Sequence, residues 1–213
     1  MFSGGKDSTL ALDAAVAAGY DVTALVNLYD PSSGRVRFHG VRRELIQLQA
    51  ASLGVMLLQR AAAPADFEAV FLRTLGELRV RGNAAIVFGN IHLADVRAWY
   101  EERTRGHGFE HVEPLWGTAP GAVLDRLLER GYRARITSVD TTRAAREWLG
   151  RVIDAELACA LQSHPGVDAA GEAGEYHTLV EDGPLFRTPL QTRLGDIFET
   201  ETHALIDIVA GAQ

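Results

Sequence analysis

Cysteine is almost absent from this chain, in which Cys159 is the only one among 213 residues. A single cysteine excludes an intrachain disulfide framework, and it excludes a zinc site built from four cysteines. Cys159 lies in an apolar stretch that is typical of a helix. We therefore expect it to be a buried helical thiol rather than a nucleophile.

Long apolar runs are missing as well. No segment approaches the ~20 apolar residues that a membrane-spanning helix needs, and the amino-terminal residues do not follow the pattern of a signal peptide. Together with the low cysteine content, this predicts a cytoplasmic protein without membrane contact. An excess of positive charge is also absent. The formal net charge is −7 at pH 7, which argues against a broad nucleic-acid surface.

What the sequence does contain is a dense motif near its beginning, followed at once by a helix-like run. The motif comprises Ser3, Gly4, Gly5, Lys6, Asp7 and Ser8. Its glycine pair allows the backbone to approach a phosphate closely and to adopt positive φ. The following helix presents unpaired N–H groups and the positive end of its dipole to the same anion. Lys6 adds a mobile positive charge, while Asp7 and Ser8 cap the helix or help to hold a metal-bound phosphate.

A bare Gly-Gly pair before a helix is more simply explained as a turn. Six residues in this combination instead predict a phosphate-binding loop. The spacing differs from that of the Walker loop, whose Gly-x-x-x-x-Gly-Lys-Ser/Thr pattern is absent from this sequence.

Strand-like and helix-like segments alternate from Asp21 to about Pro114. Residues 22–28 are rich in β-branched residues and leucine, which is typical of a buried parallel strand. A segment of helical spacing follows, with Gly54 placed as a C-cap. This alternation predicts an α/β fold: a doubly wound, Rossmann-like parallel sheet with helices on both faces, within a nucleotide-binding domain of residues 1–117.

The pattern of helix-like and strand-like segments changes after Gly117. Two helix candidates, ending near Gly131 and Leu161, alternate with strand candidates at residues 132–139 and 176–180, and two further strand candidates come later. Residues 118–213 are therefore predicted to form a smaller α+β domain that binds the substrate.

A second dense motif lies in a loop rich in glycine and acid. Two carboxylates, a histidine and a hydroxyl fall within seven residues, on a loop flexible enough to fold around a ligand. An acidic surface loop with an exposed histidine is the alternative, and the residues alone leave it open. The motif comprises Gly171, Glu172, Ala173, Gly174, Glu175, Tyr176, His177 and Thr178.

The first motif is similar to that of the PP-loop ATP pyrophosphatases, whose nucleotide-binding domain is a Rossmann-like sheet of the HUP type. The two motifs together resemble the diphthine–ammonia ligase family, in which the carboxy-terminal loop reads Glu-x-Gly-Glu-Phe-(His or Glu)-Thr. Further landmarks of that family are residues 38–40, 114–117 and 148–151. The resemblance runs from Met1 to about Phe186, and the residues beyond match it poorly.

The resemblance implies an ATP-dependent enzyme that adenylates a carboxylate, releases pyrophosphate and AMP, and forms an amide with ammonia. Known members act on diphthine, a modified histidine of elongation factor 2. The acceptor stays open here between diphthine and an unknown metabolite, because the compact chain looks more like bacterial relatives and bacteria lack diphthamide. ATP and Mg²⁺ are the implied cofactors. Sulfur transfer to tRNA is disfavoured, since PP-loop enzymes of that kind use cysteine pairs.

The resemblance also assigns roles to residues. It implies that the first motif binds the nucleotide, with Asp7 near the metal ion. Asn27, near the end of one predicted strand, and Gly89 and Asn90, which close another, are expected to line the nucleotide site because a doubly wound sheet binds ligands at the carboxyl ends of its strands. Ordinary strand packing is the alternative for Asn27. His39, in an arginine-rich segment before a helix, is expected to bind phosphate or the acyl-adenylate. For His39 the alternative is a solvated loop histidine. The implied catalytic residues are Lys6, Glu172, Glu175 and His177, and the implied substrate-binding residues are Gly174, Tyr176 and Thr178.

The start of the chain departs from the family pattern. Several apolar residues usually form a strand before the phosphate-binding loop, whereas only Met1 and Phe2 precede Ser3 here. Either that strand is vestigial or the native chain begins upstream of Met1. We expect the second, since losing a central strand would cost much of the sheet's apolar burial.

Two other functions remain open, as does the choice between a monomer and a homodimer. One is an adenylating enzyme that acts on a different small metabolite. The other is an ATP-binding regulator without hydrolysis, related to universal stress proteins. The Gly-x₂-Gly-x₉-Gly-Ser/Thr pattern of those proteins is absent from the sequence.

Overall fold

The computed structural model describes residues 1–37 and 39–211. Residue Phe38, part of one predicted family landmark, lies outside the described residues. None of the helices within those two ranges combines the length and the apolar character that crossing a membrane requires. The elements are α1 (Lys6–Ala17), β1 (Ala24–Asp30), β2 (Arg35–Val36), α2 (Arg43–Leu53), β3 (Met56–Ala61), α3 (Phe67–Val80), β4 (Ala85–Val87), α4 (Ala94–Gly106), β5 (Glu110–Val112), α5 (Pro120–Glu129), β6 (Arg133–Asp140), α6 (Ala155–Ser163), β7 (Tyr176–Asp182), β8 (Thr192–Glu199) and β9 (His203–Ala210).

The first half of the chain contains two small sheets. One has the strand order β2-β1-β3, and the other pairs β4 with β5. The pairs β1–β3 and β4–β5 are both parallel, as the alternation of strands and helices predicts, because a crossover helix returns the chain to the same end of the sheet. The mixed α/β character with parallel strands is confirmed. The doubly wound arrangement stays a prediction.

The first two residues run between these sheets. The Phe2 N–H donates to the carbonyl of Val26 in β1 at 2.7 Å. The Met1 ammonium donates to the carbonyl of Val87 in β4 at 2.5 Å. Burial lowers the pKa of that ammonium to about 5. The first two residues thereby join the middle of β1 to the carboxyl end of β4 next to the predicted phosphate loop.

Helix α2 shows how local sequence fixes an element that supports the site. Leu45 and Ile46 are buried on its inner face, and Gly54 ends it in the left-handed conformation with φ 69°. The prediction of Gly54 as a C-cap is confirmed, because glycine adopts that conformation without a Cβ penalty. Helix α2 also carries Gln49, which is fully buried and reaches the phosphate loop.

The second half of the chain forms an antiparallel sheet with the strand order β7-β6-β9-β8. Its apolar side chains join those of the first half in one core, which contains Leu10 of α1, Ile46 of α2, Leu124 of α5 and Leu179 of β7. A shared core presses β7 against the start of α1. The division of the chain at residues 117 and 118 stays a prediction.

Cys159 is an exposed residue of α6. The predicted helix is present, but the prediction of a buried thiol is wrong. The helix buries Leu157, Ala158 and Leu161, which places Cys159 on the outer side. Apolar neighbours in sequence did not reveal which face of this short helix meets the core.

A buried ionic contact ties β9 to the segment before α2. Arg35 and Arg42 both contact the Asp207 carboxylate, Arg35 at 2.8 Å and Arg42 at 2.5 Å. Burial acts to raise the pKa of Asp207, but the two guanidinium groups outweigh it and leave that pKa below its ordinary value. The carboxylate is therefore charged at neutral pH and holds the two halves together.

We predict that this contact contributes to acid sensitivity. A carboxyl whose pKa is lowered by folding stabilises the protein above its unfolded pKa of about 4, and that stability is lost as the pH falls through the lower folded pKa. Asp207→Asn should reduce the free energy of unfolding at pH 7 by about 1–2 kcal/mol, because the two arginines that lose their partner are partly exposed and regain water. The loss relative to wild type should shrink as the pH drops below about 4. Urea unfolding at several pH values measures this, with the exposed Asp196→Asn as the control. A loss that is the same at every pH would contradict the prediction.

Candidate functional site

A cavity of about 330 Å³ lies between the start of α1, the middle of β1, the residues that follow β4 and the first residues of β7. Its size is in the range of small-molecule sites. The structure brings most of the predicted site residues to its wall, from both halves of the chain. These are Ser3, Lys6, Asp7, Ser8, Asn27, His39, Gly89, Asn90, Glu172, Tyr176, His177 and Thr178.

The two glycines of the phosphate loop, defined here as residues 3–8, do not line the cavity but shape it. Gly4 has φ 83°, which disfavours other residues. A Cβ on Gly5 would lie 2.9 Å from the His39 ring and 3.0 Å from the carbonyl oxygen of Thr178. The loop therefore requires glycine at both positions, partly because the second half of the chain packs directly against it.

Strand β7 holds this loop through hydrogen bonds. The Val180 N–H donates to the Gly4 carbonyl at 2.9 Å, and the Lys6 N–H donates to the Thr178 hydroxyl oxygen at 2.9 Å. The Gln49 amide donates to the carbonyls of Gly4 and Val180, at 2.9 and 2.7 Å. Thr178, predicted to bind substrate, thus contacts the loop itself.

Lys6 is the only lysine in the sequence, since every other one of the 21 Lys and Arg residues is an arginine. Its side chain is 2% exposed. The ammonium donates to Asp7 Oδ2 at 3.0 Å and to the Ala170 carbonyl, and it lies 4.9 Å from the centre of the Tyr176 ring. A positive charge is therefore held in a defined place at the cavity wall.

Asp7 has the donor chemistry of a magnesium ligand. Its Oδ1 is buried without a hydrogen-bond partner among the described residues. Burial raises the pKa of Asp7, and the Lys6 ammonium opposes that rise. Within residues 1–37 and 39–211, no three His, Cys, Asp or Glu side chains form a metal-binding group. One carboxylate fits a magnesium ion whose other ligands are phosphate oxygens and water.

The acidic segment of residues 168–175, which we call the strap, borders the cavity through Gly171 and Glu172. Glu172 lies in the cavity wall, where its Oε1 accepts the Ile91 N–H at 2.9 Å. Burial raises the pKa of Glu172. The strap is therefore part of the cavity, in contrast to the alternative of an acidic surface loop.

Glu175 and Gly174 do not reach the cavity. Glu175 is 2% exposed, and its Oε1 accepts the Asp168 N–H at 3.2 Å and lies 3.1 Å from the Arg143 guanidinium. Successive side chains of an extended chain point to opposite sides. Because the Tyr176 side chain points toward Lys6, the Glu175 side chain points away from the cavity. Through these contacts, Glu175 holds the strap in place.

His39 and His177 form a pair in the wall, with ring centres 4.6 Å apart. His39 Nδ1 lies 3.3 Å from the Thr178 carbonyl. Burial lowers the pKa of His39 to about 4 and holds that of His177 well below its ordinary value. Both imidazoles are therefore neutral at pH 7, and neither is a solvated loop histidine.

Asn27, in the middle of β1, and Asn90, three residues after β4, contribute in different ways. The Asn27 side chain is 2% exposed, and its amide already bonds the Phe2 carbonyl and Gln59 at 3.0 Å each, so its polar atoms are occupied within the protein. Asn90 lies beside the cavity and donates to Glu113 Oε1 at 2.6 Å. Asn27 thus supports the wall, whereas Asn90 is oriented by a neighbouring carboxylate.

Sequence reasoning missed the apolar end of the cavity. Phe67 begins helix α3 and belongs to its apolar stripe, and such a periodic pattern does not separate a core residue from one in a cavity wall. An apolar wall with aromatic rings suits a flat heterocycle such as a purine. The residues of this end are Phe67, Phe88, Leu93, Val96 and Tyr100.

Comparisons with known proteins connect both halves to one family. A family model described as "Diphthamide synthase N-terminal domain" matches residues 1–111, and one described as "Diphthamide synthase C-terminal domain" matches residues 119–212. The resemblance stated from the motifs is confirmed. The expectation of a poor match beyond Phe186 is wrong, because the second match continues through the final strands, where no short motif marks it.

A protein of Schizosaccharomyces pombe named diphthine–ammonia ligase is 28% identical to this chain over 214 aligned residues. The alignment covers 88% of the chain and 34% of that protein. The chain therefore spans about a third of the length of this relative.

Gly89 offers a test of how closely the two walls of the cavity approach. A Cβ there would lie 2.8 Å from the backbone carbonyl of Asp7, so Gly89→Ala should push the end of β4 away from the start of α1. We expect a loss of about 1–3 kcal/mol in the free energy of unfolding. Chemical denaturation measures it. Gly106→Ala is the matched control, because a Cβ at Gly106 meets no atom within 4 Å. Equal stabilities of the two variants would show that the approach is not tight.

Proposed function

The chain belongs to the diphthamide synthase family, and from this premise we propose that it is an ATP-dependent ligase. In the proposed reaction it adenylates a carboxylate, releases pyrophosphate, and converts the acyl-adenylate to an amide with ammonia, releasing AMP. The S. pombe relative is named for ligation of ammonia to diphthine, and the two family matches together span almost the whole chain.

One observation carries the proposal: a loop suited to phosphates and a strap bearing a carboxylate meet in a single cavity. Lys6 and the start of α1 line this cavity together with Glu172 and His177. Carboxylate activation requires a nucleotide and an acceptor held within about 3–3.5 Å of reaction. A cavity with both features supports this reaction more than simple nucleotide storage.

In the first step, the acceptor carboxylate attacks the α-phosphorus of ATP and the bond to pyrophosphate breaks. Negative charge grows on the leaving pyrophosphate and is stabilised by a fixed cation and N–H dipoles. Lys6 and the first turn of α1 supply these. The apolar end of the cavity, with Phe67 and Tyr100, receives the adenine ring.

In the second step, ammonia attacks the acyl carbon, the bond to AMP breaks, and one proton leaves the nitrogen. Glu172 is suited to take that proton or to hold the ammonium ion, because its raised pKa brings it closer to the working pH. The neutral imidazole of His177 hydrogen-bonds the reacting acyl group. Glu175 acts indirectly by fixing the strap.

Magnesium fits this site through Asp7. The unpaired Oδ1 of Asp7 would hold the ion together with phosphate oxygens. A bound magnesium ion supplies further positive charge for the leaving pyrophosphate.

The acceptor is a small or protein-borne carboxylate. Diphthine on elongation factor 2 and an unknown metabolite are both compatible with the cavity. Because the chain spans 34% of the S. pombe protein, the acceptor of that protein is one candidate to be tested here rather than an assignment.

Nucleotide binding is tested first. Lys6→Ala removes one charge-assisted phosphate contact, which should weaken ATP–Mg²⁺ binding by about 1.5–3 kcal/mol, or roughly one to two decades in Kd. Isothermal calorimetry measures it. Arg60→Ala is the control, because Arg60 pairs with Glu77 away from the cavity. An unchanged Kd for Lys6→Ala would remove the nucleotide assignment.

Turnover is tested next, by product analysis. Incubation with ATP–Mg²⁺, ammonium and candidate acceptors, including elongation factor 2 that carries diphthine, should yield AMP and pyrophosphate in an acceptor-dependent manner. Glu172→Gln should reduce this rate about 100-fold or more while leaving ATP affinity within about threefold. The exposed Glu129→Gln is the control. ATP binding without turnover on any acceptor would favour a regulator, and a loss of ATP affinity in Glu172→Gln would contradict its role with the acceptor.

A further inference from the structure

The buried Lys6 side chain is unusually constrained for a lysine. A lysine normally keeps a flexible four-carbon stem and a strongly hydrated charge. Here the side chain is 2% exposed, and its ammonium contacts Asp7, the Ala170 carbonyl and the Tyr176 ring. Two of these three contacts come from the strap and from the first residue of β7.

Tyr176 makes both of those contacts possible. Its ring lies beneath the ammonium, 4.9 Å from ring centre to Nζ. Its hydroxyl donates to the Ala169 carbonyl at 2.6 Å, and the next carbonyl along the strap, that of Ala170, accepts from Lys6. Tyr176 is 1% exposed. The hydrogen-bond partner described for its hydroxyl is a backbone carbonyl of the strap.

The strap is shaped to fit this tyrosine. Gly171 adopts φ 67°, and a Cβ at that position would lie 2.8 Å from the Tyr176 ring. The turn after Ala170 can therefore close over Tyr176 only with glycine. The ring, the hydroxyl and the turn form one unit around the ammonium.

We propose that Tyr176 is a positioning residue that holds the Lys6 ammonium, through its ring and through the Ala169–Ala170 backbone, where the ammonium meets the phosphates of the nucleotide. This inference rests on the proposed function. A cation that is already in place does not have to be ordered when the nucleotide binds, and it acts in surroundings that exclude water. Tyr176 thus favours phosphate-bearing ligands through the position of the Lys6 ammonium.

A merely structural role of Tyr176 would affect every ligand of the cavity alike, whereas positioning of Lys6 affects only ligands with phosphates. Tyr176→Phe keeps the ring and removes only the hydroxyl contact to the strap. We expect it to weaken ATP–Mg²⁺ binding about fivefold, the equivalent of one hydrogen bond, and to leave adenosine binding unchanged. Calorimetry with both ligands measures this. Tyr132→Phe, a change at another buried tyrosine that is absent from the cavity wall, is the matched control.

A double-mutant cycle links the effect to Lys6. In a Lys6→Ala background, Tyr176→Phe should cause no further loss of ATP affinity, because contacts that act through one residue are not additive. An additive loss, or equal losses for ATP and adenosine in Tyr176→Phe, would overturn the proposal while leaving the proposed function intact.

The single lysine allows a test without any nucleotide. Protein labelled with ¹³C at the lysine ε-carbon gives one lysine signal, which is assigned by its absence in Lys6→Ala. In the wild type, the ring current of Tyr176 should move the attached proton resonances upfield, and Tyr176→Leu should return them to the values of a free lysine. A resonance at free-lysine values in the wild type overturns the inference directly. Wild-type protein that shows the upfield shift but binds no ATP overturns the proposed function, and with it the role of Tyr176 toward phosphates.

Discussion

The contact between β7 and the phosphate loop is the interaction on which the rest of the structure depends. The loop lies at the start of the chain and its clamp lies near the end, joined by the Gly4–Val180 and Lys6–Thr178 hydrogen bonds. Each bond alone contributes modestly to stability, on the order of 1 kcal/mol. Their importance is geometric, because they bring the residues of both halves to one cavity and fix the backbone that must face the phosphates.

Burial controls the charge of most titratable groups around the cavity. Lys6 is the one lysine available, and the two histidines are kept neutral by burial. Asp7 and Glu172 add carboxylates whose burial makes their charged forms less favourable. Arg37 adds a second cation to the cavity wall. The proposed nucleotide would carry about four negative charges, and a magnesium ion on the unpaired oxygen of Asp7 would offset part of them.

Local patterns predicted much of this molecule. The glycine pair, the helix after it and the cap at Gly54 depend on short-range backbone preferences, so the sequence alone revealed them. The exposure of Cys159 and the orientation of Glu175 depend on which face packs against a distant element, and no pattern of neighbours encodes that. Asn27 was predicted near the end of a strand, but it is the central residue of β1, and its occupied amide reflects long-range partners. Glycine turns are therefore more predictable than the end of a strand or the direction of any single side chain.

The Lys6–Thr178 hydrogen bond joins residues 172 positions apart, and this distance has a consequence for synthesis on the ribosome. A chain grows at about 5–20 residues per second, so the loop emerges many seconds before the strand that clamps it. Strands β1 and β3, and later β4 and β5, have their partners close in sequence and can pair as they appear. The loop acquires its final shape only when β7 has been made. A segment that is made early is thus among the last to reach its working conformation.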